Sequence, residues 1–189
     1  MSTRTAFRTI ARILPATLIS GAVAIGLAAP ASAAPTSCTM GTTAYQDQLA
    51  VRHDSTEQHL ANMVNSYRAQ NGLPALRVVS TLQRPASWAS VDSALRGFSP
   101  ANHVDTLGRN IPARVQQCTG YTGFITEISY WGYGGGYYPT AEAALAWWKQ
   151  SPGHNALLLD SRATTFGVGR AYMGHNAERQ HWTVNFGNH

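Results

Sequence analysis

Serines, histidines and acidic residues are spread along the chain, but none of the short motifs that build common hydrolase sites is present in the sequence. It contains no G-x-S-x-G turn, no H-E-x-x-H zinc motif and no P-loop. Ser151 precedes His154 by three residues, yet the Ser-Pro-Gly sequence that starts at Ser151 is more typical of the end of a helix. Asp105 follows His103 closely, where it could orient the imidazole or lie solvated in a loop. The local sequence therefore indicates no catalytic set.

A glycine-rich segment carries five aromatic rings, those of Tyr130, Trp131, Tyr133, Tyr137 and Tyr138. Aromatic rings on a loop can stack on sugars or cover an apolar ligand. The same rings could equally pack back onto the domain and close its core. The sequence predicts a ligand loop or a core-closing loop and leaves the choice between them open.

The sequence contains two cysteines, Cys38 and Cys118. In an oxidising compartment a pair of thiols usually closes into a disulfide. A metal site built from both is disfavoured because the chain has no C-x-x-C spacing. We predict a Cys38–Cys118 disulfide, with two unpaired thiols as the alternative.

The N-terminus has the three-part layout of a secretory signal peptide. Arg4, Arg8 and Arg12 precede an uncharged apolar stretch at 13–29, and small residues follow at 31–33. This order is typical of a cleaved signal, and the apolar stretch is short for a membrane span. We therefore predict a signal peptide over residues 1–33, with a membrane anchor as the less favoured alternative.

Cleavage changes both the length and the charge of the chain. About 156 residues would remain, which suits one domain with its own core. We expect a tail over 34–54 and the domain over 55–189. The formal net charge of +5 would fall to +2 with the loss of three arginines, so nucleic acid is not an expected partner. We expect a secreted protein, extracellular or associated with the cell envelope, that keeps no transmembrane segment.

Apolar residues recur with the period of a helix in three segments. The first follows Asp54 and Ser55, either of which can cap it, and Ser55 makes a capping-box spacing with Gln58. The second starts at Ser80, or a few residues later because Pro85 falls late for a first turn. The third starts after Thr140, a suitable N-cap residue. These patterns predict three half-buried helices.

The C-terminal part alternates apolar and small or polar residues over 166–172 and again over 181–187. This pattern predicts an antiparallel hairpin, with His181 at the surface beside the turn. Residues 126–131 fit a helix turn or a short strand, and residues 98–124 fit a long, partly irregular connection. Helices followed by an antiparallel pair predict an α+β fold, with helices packed on a small sheet.

The order of these pieces resembles the bacterial branch of the CAP superfamily, the SCP-like domains of cysteine-rich secretory proteins, antigen 5 and pathogenesis-related proteins. The similar pieces are Leu60 to Arg68 with Asn71 to Leu76, Leu82 and Ala89, His103, Arg114 with Gly120-Tyr121, Glu127, Trp147 with Ser151-Pro152-Gly153-His154, Phe166 to Gly169, and Trp182 to Gly187. The resemblance extends from Thr56 to Gly187. Its strongest combination is the Ser-Pro-Gly-His segment after a Trp-bearing helix together with the final Trp-to-Phe-Gly strand.

This resemblance implies an α/β/α sandwich around a small, mostly antiparallel sheet. It also implies a cleft with two histidines and two acidic residues, which in some members hold a divalent metal. His103 and His154 resemble the two histidines, and Glu127 resembles the first acid, although Ile128 stands where an asparagine normally follows. Gln150 occupies about the place of the second acid.

The implied cleft supports several functions. Its ligands for a divalent metal such as zinc would be His103, Glu127 and His154, with an open fourth position. The alternative is a hydrogen-bonded cluster without metal, which Gln150 favours because it removes a charged ligand. We expect a secreted module that binds a lipid or a cell-envelope glycan in the cleft and the aromatic loop. The alternatives are a metal-assisted extracellular hydrolase that uses His103, Glu127 and His154, and a structural or interaction protein of the envelope.

Overall fold

The computed structural model describes residue 38 and residues 54–132, 138–172 and 179–189. The described elements are, in chain order, α1 (Ser55–Gln70), β1 (Arg77–Val78), α2 (Ser80–Arg96), α3 (Ile111–Thr119), β2 (Ile125–Gly132), α4 (Ala141–Gln150), α5 (Pro152–Leu158), β3 (Thr165–Tyr172) and β4 (Gln180–Gly187). The α+β class predicted from the sequence is confirmed.

The strands form one sheet in the order β1-β3-β4-β2. The predicted hairpin is present, with β3 and β4 antiparallel, and β2 pairs antiparallel with the other side of β4. Residues 126–131 therefore belong to a strand and form no helix turn. The two-residue β1 runs parallel to β3 and is too short to leave a sequence pattern.

One face of the sheet carries the apolar core. Side chains of β2, β3 and β4 pack there against α1, α4 and α5, and the fully buried members include Ile128, Phe166, Trp182, Val184, Phe186, Leu60 and Trp148. Trp148 also donates from Nε1 to the carbonyl oxygen of Ser129 on β2 at 2.9 Å. Rings of this size contribute much of the apolar area buried on folding.

The opposite face of the sheet is covered by α2 and is built from small and polar residues. A Cβ atom added at Gly167 would lie 2.1 Å from the backbone nitrogen of Gln83, and one at Gly169 would lie 2.3 Å from the carbonyl carbon of Ala86. The two glycines therefore let the helix lie directly on the sheet. With α1, α4 and α5 on the other face, the fold is the α/β/α sandwich that the resemblance implies.

Beyond the end of β1, side chains form hydrogen bonds to the backbone at the edge of β3. The backbone N–H of Val168 donates to Gln83 Oε1 at 3.0 Å, and Gln83 Nε2 donates back to the Val168 carbonyl. Farther along, the N–H of Arg170 donates to Glu57 Oε1 at 3.0 Å. Burial of Glu57 raises the pKa of its carboxyl group to about 7. The backbone groups of Val168 and Arg170 are thus satisfied by side chains instead of by a strand.

The first helix is capped by Asp54, one of the two cap residues that the sequence predicts. Asp54 is the N-cap, and its Oδ1 accepts from the backbone nitrogens of Thr56 and Glu57 at 2.8 and 2.9 Å. Glu57 closes the capping box, so the predicted pair of Ser55 and Gln58 is wrong. Asp54 also pairs with Arg170 at 2.7 Å, which ties the start of α1 to β3.

Two further differences concern the helices between β1 and β2. Helix α2 begins at Ser80 and contains the buried Pro85 in its interior, so the later start is wrong. Helix α3 lies inside the segment 98–124, which the sequence predicts to be a long, partly irregular connection. Asn110 caps α3 through a hydrogen bond to the backbone nitrogen of Ala113 at 3.1 Å. With only nine residues, α3 is too short for its periodicity to stand out.

Cys38 and Cys118 are joined by the predicted disulfide, with their Cα atoms 5.0 Å apart. The bridge packs against Trp88 and Val91 of α2 in a second, smaller apolar cluster. It therefore fixes the chain at residue 38 to the end of α3. Within the described residues, every helix is too short or too polar to span a lipid bilayer.

Candidate functional site

The polar centre of the site is Glu127, the third residue of β2. This residue is only 5 % exposed, and its side chain lies on the sheet face that α2 covers. In the strand register Glu127 lies opposite Asn185 of the central strand β4. Because side chains alternate along a strand, Ser129 and Trp131 share this face. Glu127, Ser129 and Trp131 therefore all lie on the side of the sheet that faces α2 and the loop after it.

Three groups hold the Glu127 carboxylate. His103 Nδ1 lies 2.9 Å from Oε1, and Arg114 Nη2 donates to Oε2 at 2.5 Å. The amide nitrogen of Asn185 donates to Oε2 at 2.7 Å, while its amide oxygen accepts from the Ala86 N–H at 3.1 Å. A buried carboxylate is stable only when it is paired and hydrogen-bonded in this way. The sequence assigned no role to Arg114 or Asn185 here.

His103 lies in an unusual backbone conformation. Its φ is +56°, in the left-handed region that residues other than glycine rarely adopt. The same Arg114 that pairs with Glu127 donates from Nη1 to the His103 carbonyl at 3.1 Å, and the His103 N–H donates to the Pro100 carbonyl at 3.0 Å. Contacts at both the backbone and the ring therefore hold His103, and the cost of the conformation is borne by the surrounding structure.

His154 approaches from the other side of the site, at the start of α5. Its Nδ1 lies 2.7 Å from the hydroxyl oxygen of Ser151, and its ring centre lies 4.8 Å from that of Trp147. Burial lowers the pKa of His154, and the nearby His103 lowers it further by charge repulsion. The lowered pKa favours the neutral form of His154 at pH 7.

A cleft of about 390 Å³ lies between these imidazoles. Its lining consists of two imidazoles, three larger aromatic rings, two hydroxyl side chains and two small apolar residues: His103, His154, Tyr130, Trp131, Trp147, Ser99, Ser129, Pro100 and Ala101. The volume lies within the range of about 300–1,000 Å³ that is typical of small-molecule sites. Trp147 stands at the rim, where it is 37 % exposed.

The structure separates the remaining residues that the sequence groups with this cleft. Glu127 is buried behind His103 and does not line the 390 Å³ cleft. Gln150 is the exposed last residue of α4 and is also outside its lining. Tyr133 and Tyr137 lie outside the described residues. Tyr138 is 66 % exposed, and its carbonyl accepts a hydrogen bond from the Tyr130 hydroxyl at 2.9 Å.

The donor set does not fit a three-ligand metal centre. Among residue 38 and the described ranges from 54 onward, no three His, Cys, Asp or Glu side chains are placed to hold an ion together. The carboxylate of Glu127 is already engaged by the Arg114 guanidinium and by His103 Nδ1. A guanidinium in contact with the carboxylate disfavours a divalent cation there. As arranged, these residues form a hydrogen-bonded cluster that orients His103.

Asp105 has a different role from either one expected for it. It is buried and accepts from Arg109 Nε at 2.7 Å and from Trp88 Nε1 at 3.2 Å. The orienting carboxylate of His103 is therefore Glu127, which is distant in sequence. Asp105 instead holds the loop before α3 against α2.

His181 is buried, which contradicts the surface position expected for it. It is 2 % exposed because β4 is a central strand with layers on both faces. Its Nδ1 lies 3.3 Å from the hydroxyl of Ser99, a cleft residue, and its ring stacks with that of Trp131 at 6.0 Å between centres. Burial lowers the pKa of His181 to about 4. His181 therefore supports one wall of the cleft as a neutral ring.

The buried His181 predicts that the protein loses stability as the pH falls. The unfolded chain binds the proton near the ordinary pKa of about 6.5, whereas the folded protein binds it only near 4. The stabilisation that comes from keeping His181 neutral is therefore fully present above pH 6.5 and is lost as the pH falls toward 4. We expect the wild type to lose about 3 kcal/mol more than His181→Phe over this interval, measured by urea unfolding. Glu57 acts in the opposite direction, because the stability that its raised pKa provides is lost as the pH rises from about 4.5 to 7. This effect is the same in the wild type and in His181→Phe, so it cancels in the comparison. Parallel pH profiles would contradict the prediction.

Comparison with known proteins gives results at the level of family and fold. The sequence model of the cysteine-rich secretory protein family, CAP, matches residues 61–186. An outer surface protein from Borrelia burgdorferi superposes with a TM-score of 0.60 at 16 % identity, over 71 % of this chain and 93 % of that one. An extracellular protein from Bacillus anthracis that contains an SCP domain superposes with a TM-score of 0.51 at 26 % identity, over 70 % of this chain and 40 % of that one. No curated protein sequence matches the chain.

The family match covers well over half of the chain and extends from α1 to the end of β4. The two structural matches agree with the helix and strand arrangement, and the Borrelia protein supports the fold alone at its level of identity. The matched range includes His103, Glu127 and His154, the residues around which the site is built. This chain belongs to the cysteine-rich secretory protein (CAP) family.

Proposed function

We propose that the protein is a secreted binding module that holds a cell-envelope ligand in the cleft between His103 and His154. The observation that carries this proposal is the composition of the cleft. Three large aromatic rings surround a small number of fixed polar groups, which is the usual composition of a ligand site.

The site is held rigidly, which favours binding of a defined ligand. Glu127 and Arg114 fix His103, Ser151 positions His154, and the buried His181 stacks on Trp131. A pre-organised site loses less conformational entropy when it binds. The cleft can therefore select a ligand without a large rearrangement of its described walls.

Secretion is supported by three observations of different kinds. The N-terminal sequence has the layout of an export signal. The Cys38–Cys118 disulfide is typical of proteins that fold in an oxidising compartment. The similar proteins of Bacillus and Borrelia are described as an extracellular protein and an outer surface protein. These observations favour an extracellular or envelope-associated location.

The metal-assisted hydrolase is less favoured by the same geometry. Its acid, Glu127, is buried behind His103 and paired with a guanidinium, so it is not available to activate water in the cleft. A purely structural role is less favoured because it would leave the exposed ring of Trp147 at the rim of the cleft without a function.

Removal of Trp147 is expected to weaken binding to the cell envelope. We expect Trp147→Ala to reduce cosedimentation with total envelope material, walls and membranes together, by about tenfold in apparent affinity, because a rim aromatic contact is lost. The matched control is Leu107→Ala, since Leu107 is 40 % exposed and Trp147 is 37 % exposed, but Leu107 lies outside the cleft. Equal binding by both variants and the wild type would refute the proposed function.

A further inference from the structure

We propose that the ligand of this cleft is a saccharide, held by hydrogen bonds of its hydroxyl groups to the two imidazoles and by the ring of Trp147 against a sugar face. This inference rests on the proposed function and names the chemical class of its ligand. It follows from the hydrogen bonds that the two imidazoles can still form and from the polarity and charge of the other residues that line the cleft.

The Nδ1 atoms of both imidazoles are already engaged inside the protein. His103 Nδ1 faces the Glu127 carboxylate, which can only accept, so this nitrogen carries the hydrogen. When the ring is neutral, Nε2 of His103 is then an acceptor. The nitrogen that remains for a ligand at each imidazole is thus Nε2, since no other hydrogen bond joins either ring to the described residues.

His154 supplies the complementary group. When the hydroxyl of Ser151 donates to His154 Nδ1, the neutral ring carries its hydrogen on Nε2. The cleft then presents one acceptor, at His103, and one donor, at His154. Hydroxyl groups can both donate and accept, so the hydroxyl groups of one ligand can satisfy both imidazoles.

The remaining lining favours a sugar over a lipid chain. Ser99 and Ser129 place two hydroxyl groups among the aromatic rings. The Ser99 hydroxyl already contacts His181 Nδ1, but an alkyl chain would leave Nε2 of both cleft imidazoles without a partner, at a cost of about 1–3 kcal/mol for each buried group. A saccharide offers hydroxyl partners to all of them, and its C–H faces can pack on rings.

The charge of the lining favours a neutral ligand. Among the described residues, no Lys or Arg side chain lines the cleft, and the nearby guanidinium of Arg114 is buried against Glu127. An anionic headgroup would therefore find no cation to pair with among the described lining residues. A neutral saccharide chain can instead lie across the open rim, where the ring of Trp147 is exposed beside those of His154 and Tyr130 at 4.8 and 5.9 Å.

The test is titration calorimetry of the wild-type protein with a panel of neutral soluble oligosaccharides, namely linear tetramers of N-acetylglucosamine, glucose and mannose. We expect saturable binding of at least one tetramer. His154→Phe keeps a ring of similar size but loses the donor, and we expect it to weaken binding about tenfold. Trp147→Ala is expected to weaken it by a similar factor. Leu107→Ala should bind as the wild type does.

The outcomes separate this inference from the proposed function. Absence of saturable binding to every tetramer at millimolar concentration would overturn the saccharide assignment. Binding that the His154 and Trp147 variants leave unchanged would also overturn it, because the sugar would lie elsewhere. If Trp147-dependent envelope binding persisted in either case, the proposed function would stand with another ligand. Neutral phosphatidylcholine vesicles then test a lipid ligand, and Trp147-dependent binding to them would assign the cleft to lipid.

Discussion

Replacement of Arg114 by methionine is expected to lower the free energy of unfolding by about 3–5 kcal/mol. The substitution leaves the Glu127 carboxylate buried without its guanidinium, and both side chains are about 2 % exposed in the wild type. It also removes the hydrogen bond from Arg114 to the His103 carbonyl, which supports a left-handed backbone conformation. Urea unfolding followed by far-ultraviolet circular dichroism measures the difference.

Two comparisons isolate the cause of this effect. The double variant Arg114→Met/Glu127→Gln should regain part of the lost stability, because no unpaired charge remains in the interior. Arg162→Met removes a similar arginine–carboxylate pair, at 2.6 Å from Asp160, in which the arginine is exposed. We expect little change from Arg162→Met, since solvent screens the pair. An Arg114→Met variant no less stable than Arg162→Met would show that the buried pair does not hold the site together.

Removal of the disulfide is expected to have an effect of similar size. The bridge joins residues 80 positions apart in the sequence, and the chain-entropy estimate for such a loop is about 4.5 kcal/mol. We expect Cys38→Ala/Cys118→Ala to unfold at correspondingly lower urea concentration than the oxidised wild type. A reducing agent should destabilise the wild type and leave the double variant unchanged. A wild-type transition that a reducing agent does not shift would contradict the prediction.

The elements predictable from the sequence are those whose patterns are local. Helices α1 and α4 have clear apolar stripes, and the sequences of β3 and β4 alternate over seven residues each, so their existence and type follow from periodicity alone. Helix α3 and strand β1 are too short to show a period. The signals present for α3 are its ends, since Asn110 caps its start and Gly120 adopts the left-handed conformation after its last residue.

The site is less accessible to sequence reasoning because its contacts are set by register and packing. His103, Glu127 and His154 are identified by resemblance, and the structure places all three around one region. That Glu127 lies behind His103, and that Asn185 reaches it, depends on the pairing of β2 with β4. No local pattern encodes that pairing. The burial of His181 has the same origin, since an alternating strand sequence does not reveal that both of its faces are covered.

The side-chain contacts along β3 have a consequence for how the protein behaves at high concentration. An open strand edge can pair with a strand from another molecule and start aggregation or domain exchange. In β3, beyond β1, the N–H and carbonyl of Val168 are bonded to Gln83 and the N–H of Arg170 is bonded to Glu57, and both of these side chains belong to buried residues. A second chain would have to displace both side chains before it could add a strand there. Gln83 and Glu57 therefore act as a built-in barrier to edge-to-edge self-association.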